Sequence, residues 1–153
     1  MDKNIPTLYI LMRNDLASMN AGKAMAQASH ASNFAVKQGV ERGTALIEGW
    51  RTATNQGYGT VLVLSVDHEE LKIAMLEALK FSFLFGLVVD PSYPYSVQNE
   101  IAELISGKFD TIARWEKNGV TYLHRKETTC GFILANSNDP CVQRIVGEFP
   151  LHP

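Results

Sequence analysis

The 153-residue sequence has only two cysteines, Cys130 and Cys141, and four scattered histidines, His30, His68, His124 and His152. Two cysteines do not make the disulfide framework of a small secreted domain, and they point to a reducing compartment, expected to be the cytosol. No cysteine or histidine pair has metal-ligand spacing, so neither a metal nor a cofactor is expected. No Gly-x-Ser-x-Gly elbow occurs, which removes the usual signature of a serine hydrolase. No apolar run reaches the length of a membrane span, and the opening residues lack the basic-then-apolar layout of a signal peptide, so no membrane partner is expected. A net charge of −2 gives no global basic field. The aromatic residues suggest no surface stripe for base stacking. There is no repeat, low-complexity segment or linker, and the length suits a single domain over residues 1–153.

What is present alternates apolar runs with helical patterns, the mark of an α/β fold with a mostly parallel sheet between helices. Residues 7–13 form the first strand. Residues 20–38 form a helix that Gly39 breaks, and residues 40–55 continue as a second helical segment carrying Trp50, a packing anchor. Thr60–Val66 is apolar and β-branched, as a strand buried on both faces should be. Asp67 caps a helix over 68–83 whose stripe is Leu71, Met75, Ala78 and Leu79. Residues 86–90 form the third strand, which Pro91 stops. A short helix over 96–106 follows, then a hairpin of 109–116 and 120–126 turned by Asn118-Gly119. Thr128–Ala135 is the fourth buried strand, and Asp139-Pro140 opens a last helix running to about Glu148.

The stretch from Arg13 to Ala31 carries the chemistry. It joins the end of the first strand to the start of the first helix, where α/β proteins place anions and reactive groups. Ala24, Ala28, Ala31 and Ala35 share one helix face of small residues, and Lys23, Gln27, His30 and Phe34 share another. Asn20 or Ser18 can cap the helix. Lys23 is a cation in the first turn, against the helix dipole; the alternatives are a solvated lysine and a group that strengthens the pull on an anion. A phosphate-binding P-loop is excluded, because its first glycine is Ala17 here and its hydroxyl position is Ala24. Residues 1–65 carry six Lys or Arg against four acids, a bias that permits a phosphate-bearing ligand. Asp90 stands at the carboxyl end of a strand, where ligands of open sheets bind, although an aspartate before proline also serves simply as a turn former. Cys130, inside an apolar strand, reads as core.

The pattern Arg13-x-Asp15-Leu16-x-x-Met19-x-x-Gly22-Lys23-x-x-Ala26-Gln27-x-x-His30-Ala31 resembles the signature of the type 2 peptidyl-tRNA hydrolases, the archaeal and eukaryotic kind. The resemblance continues through Trp50 and the helix after Asp67 to Asp90, and resumes from about Thr128; it covers about 1–90 and 127–149. It implies a three-layer fold with a mixed, mostly parallel four-stranded sheet. It also implies a hydrolase that cleaves the ester joining a peptide to the terminal adenosine of tRNA, needing no cofactor, and plausibly a homodimer. Carried over by motif, Lys23, Asp90 and Thr129 would be catalytic. Arg13, Asn20, Gln27, His30 and Thr128 would contact the substrate.

The sequence departs from the family pattern in two places. After its aspartate the family continues Ala-Gly-Arg-Thr, whereas this chain has Pro91-Ser92-Tyr93-Pro94, so Pro94 stands at a family active-site threonine. About thirty residues, roughly 94–126, then replace a short turn before the last strand. Two readings follow. An esterase acting on peptidyl-tRNA requires Lys23, Asp90 and a threonine to converge. An inactive binding module on the same scaffold would hold a tRNA end, a nucleotide or a protein partner, with the inserted segment burying Asp90 or separating it from Lys23. The inserted hairpin, with its exposed edge, is a candidate dimer interface.

Overall fold

The structure, a computed structural model, describes residues 4–98 and 111–153. The chain forms two compact units, one of Met1–Val88 with Thr129–Pro153 and one of Val89–Thr128.

The first unit is built around β1 (Pro6–Arg13), whose residues after Pro6 are all buried. β1 pairs in parallel with β2 (Thr60–Val66), in a register running from Thr7 opposite Thr60 to Arg13 opposite Val66. On its other side it pairs antiparallel with β5 (Val120–Asn136), from Pro6 opposite Asn136 to Met12 opposite Cys130. β3 (Leu84–Gln98) completes the order β2-β1-β5-β3. The sheet is therefore mixed, with a central strand that is apolar from Leu8 to Met12 because both its faces are covered.

Alternation along β1 creates the two cores. Leu8, Ile10 and Met12 point to one face, where they meet Ala24, Ala31 and Ala35 of α1 (Ala21–Arg42) and Ile47 and Trp50 of α2 (Ala45–Arg51). Tyr9 and Leu11 point to the other, against Leu71, Ala74, Met75 and Ala78 of α3 (His68–Lys80) and Val142 and Val146 of α4 (Pro140–Val146). Helices on both faces of one sheet give the expected three layers.

Helix starts follow the sequence signals. Asn20, not Ser18, caps α1, and its Oδ1 accepts from the Lys23 N–H at 2.9 Å. Asp67 and Glu70 form a reciprocal capping box on α3, and Asp139 caps α4 with Pro140 in its first turn. Helix ends differ from expectation. α1 passes through Gly39 and ends at Gly43, which takes the left-handed conformation at φ 64°. Gly39 is buried in the helix because a Cβ there would stand 2.6 Å from Ile47 Cβ: it serves close packing, not termination. α3 ends at Lys80, short of residue 83, with Ser82 at φ 58° beyond it. Leu79 is not part of the buried stripe but 61% exposed.

The third strand also differs. β3 does not stop at Pro91 but runs through Pro91 and Pro94 to Gln98. Its place at the end of the strand order explains this, since an edge strand loses no ladder bond when a proline faces outward. Residues 96–98, expected to open a helix, belong to this strand, and the rest of the proposed 96–106 helix lies outside the described residues.

In the second unit, β4 (Ala113–Lys117) pairs antiparallel with the first part of β5, from Ala113 opposite His124 to Lys117 opposite Val120. Asn118 and Gly119 both take positive φ, 53° and 77°, as the Asn-Gly signal for a two-residue hairpin requires. The two strands expected over 120–126 and 128–135 are one continuous strand. Tyr93, Thr121 and Leu123 are buried in this unit, and the Tyr95 hydroxyl donates to Glu127.

Candidate active site

In the first unit the predicted residues gather where β1 ends and α1 begins. Lys23 is half-buried in the first turn of α1, and its ammonium donates to the Ser18 carbonyl at 2.9 Å. The loop before the helix thus pins the cation, while Asn20 satisfies the backbone N–H of the same residue. Burial pulls the Lys23 pKa below the usual lysine value. No acid stands in the first turn of α1. The result is a partly desolvated positive charge added to a positive helix terminus, an arrangement that favours an anion.

One turn further along α1, Gln27 is buried, and its Oε1 accepts from the Thr129 hydroxyl at 2.7 Å. Thr129 is fully buried on β5, next to Cys130, which sits opposite Met12 of β1. The Cys130 thiol lies 3.7 Å from the Gln27 carbonyl, and burial pushes its pKa up to about 12. Thr129 and Gln27 therefore form a buried hydrogen bond linking sheet to helix. Thr128, the neighbouring hydroxyl, is half-buried.

Arg13, the last residue of β1, is buried and held by Asp15 in a two-pronged ion pair, Nε to Oδ1 at 2.8 Å and Nη2 to Oδ2 at 3.2 Å. Asp15 also accepts from the backbone N–H of His68 at the start of α3, at 3.2 Å. The hydrogen bond from Arg13 holds the Asp15 carboxyl below its ordinary range. The Asn14 side chain donates to Ser65 Oγ at 3.0 Å, which ties the ends of the two parallel strands together. The motif's Arg-x-Asp spacing thus encodes a strand-end clamp, with Arg13 committed to Asp15. His30 is exposed on α1, as is the Asn20 cap.

Asp90 belongs to the second unit. It is half-buried on β3, and its Oδ1 accepts from the Ser92 N–H at 2.9 Å, the turn-like bond common to aspartates just ahead of proline. Ser92 in turn lies 3.0 Å from His124 Nδ1 through both its hydroxyl and its carbonyl. Ser18 partners Lys23 and Ser92 partners Asp90. Ser18 acts on Lys23 through its backbone carbonyl, which no side-chain pattern marks.

A lysine fixed at a helix start beyond a strand, beside a buried Gln–Thr pair, is the setting in which the comparison with known families becomes decisive. The model of the peptidyl-tRNA hydrolase PTH2 family matches residues 7–94. The chain belongs to this family. The match takes in β1, α1 with Lys23 and Gln27, β2, α3 and β3 as far as Pro94. No curated protein matches the sequence. A solved structure of a protein of unknown function from Agrobacterium tumefaciens str. C58 is similar in fold, with a TM-score of 0.51 at 13% identity, over 99% of this chain and 100% of that one. At that identity the likeness speaks for the fold alone. As a PTH2 member the chain carries a hydrolase family's scaffold, and among its described residues no helix is long and apolar enough to cross a membrane.

Proposed function

We propose that this chain hydrolyses the ester bond of peptidyl-tRNA, releasing tRNA and peptide. The observation that carries the reading is Lys23: a cation of the PTH2 motif, held by the Ser18 carbonyl at the start of α1 and partly stripped of water. A charge fixed before the reaction begins stabilises an oxyanion, or a phosphate next to the ester, without the cost of reorganising water. In this proposal Lys23 stabilises the tetrahedral intermediate, and Asp90 takes the proton of the attacking water. Thr129 acts through Gln27, keeping α1 and β5 in register around the lysine. Thr128, Asn20 and His30 are the candidates for substrate contact, and Arg13 serves by anchoring the strand end.

The test is release of tRNA from an N-blocked aminoacyl-tRNA. Lys23→Ala is expected to lower turnover by about 10²–10³, the usual loss for one oxyanion donor. Asp90→Asn is expected to abolish it, while far-ultraviolet circular dichroism stays that of the parent. Full turnover in Lys23→Ala removes the proposal. Salt-sensitive tRNA binding by a parent protein with no turnover assigns the chain instead to the binding-module reading, which the Pro94 substitution favours.

We also propose self-association through the outer edge of β4, because that strand pairs with β5 alone among the described strands. Gel filtration of a chain in which a short turn replaces 96–126 tests this, and an unchanged oligomeric state counts against it.

A further inference from the structure

The hairpin of the second unit presents a surface that the sequence did not suggest. Trp115 stands opposite Tyr122 and Lys117 opposite Val120, and strand alternation adds His124 and Lys126 to the same face. This is the outward face: every residue of β4 is exposed, whereas Thr121 and Leu123, which point the other way from β5, are buried. The two aromatic rings stack in parallel, 4.0 Å apart at 9°. Trp115 Nε1 donates to His124 Nε2 at 2.8 Å. An indole nitrogen only donates, so His124 Nε2 is the acceptor of this bond. Tyr122 and His124 together fix the orientation of an indole that remains 45% exposed.

Among the described residues, the charges on this face have one sign. Glu116 and Glu127 project to the opposite face, where they lie 3.3 Å from Arg114 and 3.5 Å from Arg125. Lys117 and Lys126 are exposed and form no ion pair with a described residue. An exposed aromatic plate with lysines on the same face, and no acid on that face among the described residues, is complementary to a planar base on a phosphate backbone. An apolar protein partner would instead want apolar neighbours around the tryptophan.

We propose that this face binds single-stranded RNA, with a base stacked on Trp115 and the adjoining phosphates met by Lys117 and Lys126, and that the RNA is the unpaired 3′ end of tRNA. The choice of tRNA rests on the proposed function; the preference for single-stranded RNA rests on the hairpin itself.

The experiment is fluorescence anisotropy of a labelled single-stranded oligoribonucleotide with the tRNA 3′-terminal sequence, titrated with the full chain. Trp115→Ala is expected to weaken binding about tenfold to a hundredfold, the cost of one lost stacking partner. Trp115→Phe, which keeps a ring, should retain most of the affinity. Replacing Lys117 and Lys126 by Gln together should make the dependence of log affinity on log salt shallower by about 1.4, from two lost phosphate contacts. Parent-like binding by Trp115→Ala, or an unchanged salt slope, overturns the proposal. So does equally tight binding of polyglutamate that is insensitive to Trp115. Lys72→Gln, which removes an exposed lysine of α3 outside both the hairpin and the proposed active site, should bind the oligonucleotide like the parent. Trp115-dependent binding without hydrolysis therefore defeats only the proposed function, and hydrolysis without oligonucleotide binding defeats only this inference.

Discussion

At the scale of single residues, the same types do opposite work according to what surrounds them. The two cysteines show this most simply. Cys130 is fully buried in β5 and its thiol is pushed up to about 12, whereas Cys141, at the start of α4, is partly exposed. Only the thiolate reacts, so a disulfide reagent at mildly alkaline pH should label Cys141 in the native protein and reach Cys130 only after denaturation. Rapid labelling of both thiols in the folded state would contradict the packing described for β5. Lys23 and Arg13 make a similar contrast. Both are cations of the family motif, but Arg13 is paired with the Asp15 carboxylate, while the Lys23 ammonium donates to the Ser18 carbonyl. From the motif alone Lys23 is expected to be catalytic and Arg13 to contact the substrate, and nothing in the sequence pattern marks the pairing of Arg13 with Asp15.

At the scale of elements, the glycines and prolines separate local preference from tertiary need. A glycine that ends a helix and one that admits a neighbour look identical in sequence. Gly43 ends α1 because it takes φ 64°, while Gly39 sits inside the helix with Ile47 where its side chain would be. Gly39→Ala is therefore expected to destabilise the protein by about 1–3 kcal/mol through overpacking, although alanine is the better helix former. The readout is the denaturant midpoint, and a stabilised variant would show that Gly39 is a helix breaker after all. Pro91 reverses the lesson: it reads as a strand stop, but β3 runs through it and on through Pro94, because an edge position tolerates both. The Asn118-Gly119 hairpin was legible, because a two-residue turn with both φ values positive depends on its own residues and on little else.

At the scale of the whole molecule, both core clusters are composed of residues from the first unit alone. Replacing 96–126 by a short turn should therefore leave a cooperative thermal transition. Its loss, seen as a broad melt with exposed apolar surface, would mean that the first unit does not carry its own stability. A net charge of −2 concealed the lysine-bearing face of the hairpin, because a total says nothing about where charges of one sign collect.

The sequence by itself determined the α/β class, the buried first strand, the helix starts at Asp67 and Asp139, and the motif that marks Lys23, since each follows from short-range chemistry and periodicity. Only the tertiary structure decided that Thr129 and Gln27 are buried and hydrogen-bonded to each other, that Gly39 is a packing position, and that Trp115, Tyr122 and two lysines share one outward face. Those outcomes depend on pairings between residues far apart in the chain, or on strand register across a turn, and no local pattern carries that information.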